Sequence, residues 1–94
     1  VRLASGEVLS ADIVVVGIGS LPRAELAADC RLSVSDGILV DSEGRTDDPN
    51  IFAIGDVAAV RSRDGRPERR ESWDNAQVTA RRAAACIMGA PRIE

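Results

Sequence analysis

Histidine is absent from this sequence, which removes the imidazole base, the histidine-metal cluster and the Ser-His-Asp triad from its chemistry. Cysteine occurs twice, as Cys30 and Cys86, far apart and in no C-x-x-C or C-x-x-x-x-C pattern. That spacing signals neither a metal site nor a local redox disulfide, and free thiols in a cytoplasmic setting are the expectation. No apolar run approaches the roughly 20 residues that span a bilayer; Ile13 to Val16 falls far below it. There is no initiator Met, signal peptide or targeting segment before Val1-Arg-Leu-Ala-Ser, so a start in mid-domain is expected.

What is there describes a globular chain of 94 residues, with 45% hydrophobic and 29% charged side chains. A net charge of -3 argues against nucleic-acid binding through bulk positive charge. The positive charge is clustered all the same. All twelve basic residues are Arg, and five of them, Arg61, Arg63, Arg66, Arg69 and Arg70, share one ten-residue stretch. By itself such a stretch reads as a solvated loop.

Hydrophobic patterning places the elements. Val1 and Leu3, a turn at Ser5-Gly6-Glu7 and then Val8-Leu9 predict a hairpin. The β-branched run Ile13-Val14-Val15-Val16 predicts a strand buried on both faces, as in an α/β sheet. Ser20 is placed to cap, and Pro22 to start, a short helix through about Ala28. A second hairpin is expected from Leu32 and Val34, a turn near Asp36-Gly37, and Ile38-Leu39-Val40. Ile51-Phe-Ala-Ile54 reads as a short buried strand, Arg61 to Arg70 as a loop, and the Ala-rich segment from about Asp74 to Met88 as a helix stopped by Gly89 and Pro91.

Two glycine turns follow the apolar runs. Val16-Gly17-Ile18-Gly19 invites a dinucleotide fingerprint, but the third glycine of G-x-G-x-x-G falls on Pro22, so the full fingerprint fails. What survives is either close approach of a ligand to backbone or a tight structural turn. Ile54-Gly55-Asp56 puts a carboxylate at the end of an apolar run, suited to accept hydrogen bonds from sugar-like hydroxyls, with the amides of Val57 and Ala58 as candidates to face a phosphate. A bare Gly-Asp is also a common turn cap.

Longer segments around these turns settle the reading toward a family. Thr46-Asp-Asp-Pro-Asn-Ile-Phe-Ala-Ile-Gly-Asp-Val-Ala58 resembles the second FAD motif of the pyridine nucleotide-disulfide oxidoreductase superfamily. Ala11-Asp-Ile-Val-Val-Val-Gly-Ile-Gly-Ser-Leu-Pro22 resembles the segment that closes the family's NAD domain, and Arg70-Glu-Ser-Trp-Asp-Asn-Ala-Gln77 is similar to the Glu-Ser/Thr-x-x-Asn-Ala segment of ferredoxin reductases of the putidaredoxin reductase type. The resemblance covers nearly the whole chain but omits the N-terminal FAD fingerprint and the core of the NAD domain.

The resemblance implies an α/β fold, a fragment of a flavoprotein reductase with two dinucleotide-binding domains. Residues 1-19 would end the NAD(P)-binding domain, 20-34 would connect, and 35-94 would form the C-terminal part of the FAD-binding domain. It implies FAD and NAD(P)H as cofactors, with Gly55, Asp56, Val57, Ser72 and Trp73 at the flavin and Gly17, Ile18 and Gly19 near the nicotinamide cofactor. Asp56 would hold the ribityl chain. The start of the last helix would present its amide dipoles to the reduced flavin, and Glu71 is at most a contact to the nicotinamide end. The implied reaction is hydride transfer from NAD(P)H to FAD, then single-electron transfer to a [2Fe-2S] ferredoxin, with the isolated fragment inactive. Related readings are a NADH oxidase, a nitrite reductase subunit, a rubredoxin reductase, or a silent fragment that folds without cofactor. Trp73, Gln77 and Arg81 fall on one helical stripe. Arg81, with Arg66 and Arg69, is expected to steer an acidic ferredoxin, against the simpler reading of solvated helix residues.

Overall fold

The computed structural model describes residues 1–91 of the chain. Its elements are α1 (Glu25–Asp29), β1 (Val34–Ser35), β2 (Gly37–Val40), a 3-10 turn at Gly55–Val57, β3 (Ala58–Arg61), β4 (Pro67–Arg69) and α2 (Trp73–Ile87). The strands form one sheet in the order β1-β2-β3-β4, in which β2 and β3 are parallel and the outer pairs antiparallel. The fold is therefore a small α/β unit with a helix at its C-terminal side.

The hairpin β1–β2 reverses at Asp36-Gly37, as its sequence predicts, and sets Val34 opposite Ile38. Gly37 has φ +113, and a Cβ there would lie 2.6 Å from the Val57 carbonyl oxygen, so the position admits glycine alone. Because β2 and β3 run parallel, the chain must cross back between them. The crossover is stitched by short polar side chains. The Asp41 carboxylate accepts the amides of Glu43 and Arg45 at 2.8 and 2.9 Å, and the buried Thr46 hydroxyl meets the carbonyls of Asp48 and Ile51.

Three expectations from patterning are corrected. Ile51–Ile54 is no strand: Phe52 makes one bridge to Arg45, and of the four only Ala53 is buried. The strand lies after the turn instead, at β3. The stretch from Arg61 to Arg70 is not all loop, since β4 pairs with β3 through Arg61 and Pro67. Pro67 is tolerated because β4 is an edge strand. Ile13–Val16 also forms no strand and is exposed throughout, Val15 at 90%. A strand exists only beside a partner, and no described residue pairs with Ile13–Val16, while Ile51–Ile54 meets the chain at 44–46 through a single bridge.

Residues 1–20 are all exposed, although the first hairpin is present, with the Leu3 amide donating to the Glu7 carbonyl at 2.8 Å. The radius of gyration is 17.5 Å, against about 13 Å for a compact chain of roughly 100 residues, because residues 1–19 form no hydrogen bond with the rest of the described chain. Helix α1 starts later than its sequence suggests. Its N-cap is Ala24 with no side-chain bond, and Ser20 caps nothing.

The core gathers Val40, Ala53 and Ala58, with Ile38, Val57 and Val60 packed against them. Helix α2 closes over the backbone beside it with small residues. Ala76 and Ala83 face Gly55 and Gly44, where an added Cβ would stand 3.7 Å from each alanine Cβ. The Ser72 hydroxyl accepts the Asn75 amide at 3.1 Å to cap α2. Gly89, at φ +65, ends it, with the Ala90 amide returning to the Ala85 carbonyl.

One carboxylate ties the crossover to the sheet. Asp47 accepts the Ser33 amide, just before β1, and pairs with Arg61 at the end of β3. Hydrogen bonds from Ser33, then the Arg61 guanidinium, lower its pKa from 3.8 to about 2. A depressed carboxyl contributes stability above its unfolded pKa and loses it as the pH falls through the folded value. Urea unfolding followed from pH 6 down to pH 2 is expected to show stability falling mainly between about pH 4 and 2. Asp47→Asn should flatten that window; an unchanged slope in the variant refutes the staple.

Candidate functional site

The site is built around the turn Gly55–Val57. Gly55 has φ +69 and is buried beneath α2, where its amide donates to the Thr79 hydroxyl at 3.0 Å. The Thr79 hydroxyl in turn donates a hydrogen bond to the Asn75 carbonyl at 2.8 Å, one turn back along the helix. Backbone of the turn and the first half of α2 are thereby locked together. Val57 turns its side chain into the core, while Asp56, between two anchored neighbours, is exposed. No described residue bonds its carboxylate.

The helix start lies in the same region. The Ser72 side chain satisfies only the Asn75 amide, and the amides of Trp73 and Asp74 bond no other described residue. Helix N-terminal amides left open in this way carry partial positive charge. Trp73, the first residue of α2, is 76% exposed. Of the two amides considered for a phosphate, that of Ala58 is already spent inside the turn on the Gly55 carbonyl.

Arg69 brings the segments together. Its Nη1 donates to the Asp56 carbonyl at 3.1 Å and pairs with Glu71, and its Nη2 donates to the Ser20 carbonyl at 2.8 Å. Glu71 in turn accepts the Ser20 hydroxyl at 2.9 Å. The Ser20 hydroxyl and then the Arg69 guanidinium hold the Glu71 carboxyl below its ordinary pKa. Gly17, Ile18 and Gly19 precede Ser20 directly and stay open, with nothing within 4 Å of a Cβ built at either glycine. Ser20, Glu71 and Thr79 as connecting residues were not legible beforehand, since Ser20 and Glu71 stand 51 residues apart with no shared motif.

Of the three arginines expected at a partner, Arg66 lies in the β3–β4 turn and Arg81 on the exposed face of α2 with Trp73 and Gln77. Arg69 differs from both, since its charge is paired inside the fold. The arrangement suits FAD in chemistry: an unengaged carboxylate for ribityl hydroxyls, open helix amides for a negative flavin edge, and an exposed indole for stacking. Among the described residues no cluster of His, Cys, Asp and Glu could hold a metal, and no helix is long and apolar enough to cross a membrane.

Known proteins resemble this chain over nearly its whole length. Residues 1–80 match the family model described as pyridine nucleotide-disulphide oxidoreductase. A crystal structure of the ferredoxin reductase for the CYP199A2 system from Rhodopseudomonas palustris is 43% identical, with a TM-score of 0.79 over 99% of this chain and 24% of that one. The covalent putidaredoxin reductase-putidaredoxin complex gives 42% identity and a TM-score of 0.76, over 97% of this chain and 22% of that one. A NAD-dependent persulfide reductase from A. fulgidus gives 31% identity and 0.75, over 97% and 18%. The chain thus spans a quarter or less of the length of each.

The lock between turn and helix is measurable. Thr79→Val keeps the shape but leaves the buried Gly55 amide without an acceptor, which should cost about 1–3 kcal/mol. Urea unfolding of the two proteins side by side tests it, and a difference below about 0.3 kcal/mol rules out the lock.

Proposed function

We propose that this chain, which belongs to the pyridine nucleotide-disulphide oxidoreductase family and is ferredoxin reductase-like, supplies the flavin-facing C-terminal part of a NAD(P)H:ferredoxin oxidoreductase. The family implies FAD and NAD(P)H. The observation that carries the assignment is the exposed, unengaged Asp56 carboxylate on a turn whose neighbours are pinned by Thr79 and Arg69. A carboxylate held so, without a partner of its own, is prepared to receive hydroxyls.

When bound, FAD supplies the hydride acceptor and the one-electron donor in a single ring system. The chain's own residues bind and orient. Asp56 accepts from the ribityl chain, and Gly55 and Val57 set the direction in which that carboxylate points. Ser72 caps α2 and leaves the amides of Trp73 and Asp74 open, where they would stabilise negative charge on a bound flavin. Trp73 offers a flat face to the ring. Gly17, Ile18 and Gly19, open and free of side-chain bulk at both glycines, let the nicotinamide cofactor lie near the backbone. Catalysis is then mainly positioning, and no acid or base among these residues is invoked.

The electron acceptor is read from α2, because the same fold also carries a NAD-dependent persulfide reductase. A [2Fe-2S] ferredoxin, in the cytoplasm, fits best. Trp73, Gln77 and Arg81 run along the exposed face of α2, away from the turn. Arg81 and Arg66 carry no ion pair among the described residues, which leaves two positive charges for an acidic partner. Arg69 contributes none, being neutralised by Asp36 and Glu71.

Two measurements in the complete flavoprotein test these assignments separately. Asp56→Ala should weaken flavin binding by about 1.5–3 kcal/mol, the worth of a charge-assisted hydrogen bond. The flavin-to-protein absorbance ratio on dilution reads it, and a ratio equal to wild type rejects the role of Asp56. Arg81→Glu should raise the KM for ferredoxin and blunt its salt dependence while NADH-to-ferricyanide turnover holds. If ferredoxin KM and salt dependence stay put, the docking surface lies elsewhere.

A further inference from the structure

We propose that Arg69 is a positioning residue of the flavin site: one guanidinium clamps the Asp56 turn, the start of α2 and the Gly17–Ser20 segment in a fixed relation. The role toward flavin rests on the reading of Asp56 given above. The clamp itself stands on geometry alone.

Arginine carries five N–H donors in a rigid planar fork. At Arg69 the fork meets acceptors from four separate stretches of chain. Nη1 takes the Asp56 carbonyl at 3.1 Å and the Glu71 carboxylate, and Nη2 takes the Ser20 carbonyl at 2.8 Å. Nε lies 3.4 Å from Asp36 Oδ2, an ion pair without hydrogen-bond geometry. The side chain is 10% exposed, so these contacts are made largely out of water, where they weigh more.

Its path inward is kept open by glycine. A Cβ at Gly37 would sit 3.1 Å from Arg69 Cδ and 2.6 Å from the Val57 carbonyl oxygen. Thus the tight hairpin β1–β2 leaves room for the arginine stem beside the turn. The Ser20 hydroxyl closes a ring by donating to the same Glu71 oxygen that Arg69 holds. Burial would lower the Arg69 pKa, yet the Glu71 hydrogen bond and the charges of Asp36 and Glu71 raise it, so the charge is kept.

Because the guanidinium grips the backbone of Asp56 and not its carboxylate, it fixes direction while leaving the carboxylate free for a ligand. Lysine keeps the charge but offers its donors from one atom, and it cannot reach acceptors spread over this fork. A docking charge tolerates that exchange; a clamp does not.

The test uses the complete flavoprotein with Arg69→Lys, Asp56→Asn and the double variant. Arg69→Lys should weaken flavin binding about tenfold, as for one lost charged hydrogen bond, and change the visible circular dichroism of the bound flavin. It should also speed amide exchange in residues 17–22. If Arg69 acts through the Asp56 turn, the two substitutions combine to less than the sum of their effects on flavin affinity. Where Asp56→Asn itself weakens flavin binding, additive effects, with or without faster exchange, reduce Arg69 to general stability and overturn the proposal, as does a lysine variant with wild-type affinity and spectrum. Should Asp56→Asn and Asp56→Ala both bind flavin like wild type, the reading of Asp56 fails by itself. Amide exchange at 17–22 then decides the clamp: faster exchange in Arg69→Lys upholds it and unchanged exchange overturns it.

Discussion

How closely α2 lies against the Gly55 turn is the constraint from which the other features follow. Alanine on the helix side makes that contact, with Ala76 over Gly55 and Ala83 over Gly44. With φ at +69, Gly55 also takes a backbone conformation that costs an L-residue roughly 1–2 kcal/mol. Its amide, buried by the helix, then requires an acceptor, which Thr79 supplies from the helix itself. Asp56 is exposed as a consequence of its neighbour being buried. A carboxylate on a free loop would sweep many directions, whereas here its backbone is held on both sides.

The arginine-rich stretch shows a second economy of placement. Read as sequence it is one positive cluster, but the fold divides it by function. Arg61 pairs with Asp47, Arg70 with Glu68, and Arg69 with Asp36 and Glu71. The exposed Arg70–Glu68 pair contributes little stability by itself, whereas Arg61 meets an Asp47 that the Ser33 amide also holds. Together the pairs cancel charge locally, leaving Arg63 and Arg66 in the β3–β4 turn and Arg81 on the outer face of α2 among the arginines that have no ion pair with a described residue. On a chain of net charge -3, that distribution matters more for steering than the total does.

How much was legible in the sequence depended on how local the cause was. Helix α2 was placed within a residue at each end, because alanine content and Gly89 act within a few residues. Hairpin β1–β2 was placed by Asp36-Gly37 for the same reason. Strand β3 was not anticipated, since Ala58–Arg61 has little β-branched character and becomes a strand through its parallel pairing with β2. β4 was hidden by its arginines and proline. Among site residues, the Gly-Asp turn and the helix start stood out by motif. The binding of Ser20, Asp36, Asp56 and Glu71 to one guanidinium has no signal in a single sequence, as each residue alone is an ordinary polar surface residue.

The two apolar runs that form no strand share a further property, which bears on the proposed site. Ile13–Val16 runs directly into Gly17, and Ile51–Ile54 runs directly into Gly55. Both are β-branched or apolar stretches of the kind that pair inside a sheet, and both end on a glycine turn assigned here to a cofactor. In open α/β sheets ligands bind beyond the carboxyl ends of the strands. Under the proposed function, each run would deliver its glycine turn to such an edge. Arg69 meets the chain just past both turns, at the carbonyls of Ser20 and Asp56. The relation between the two turns is thus held within this chain, by one side chain that bonds the backbone beside each glycine.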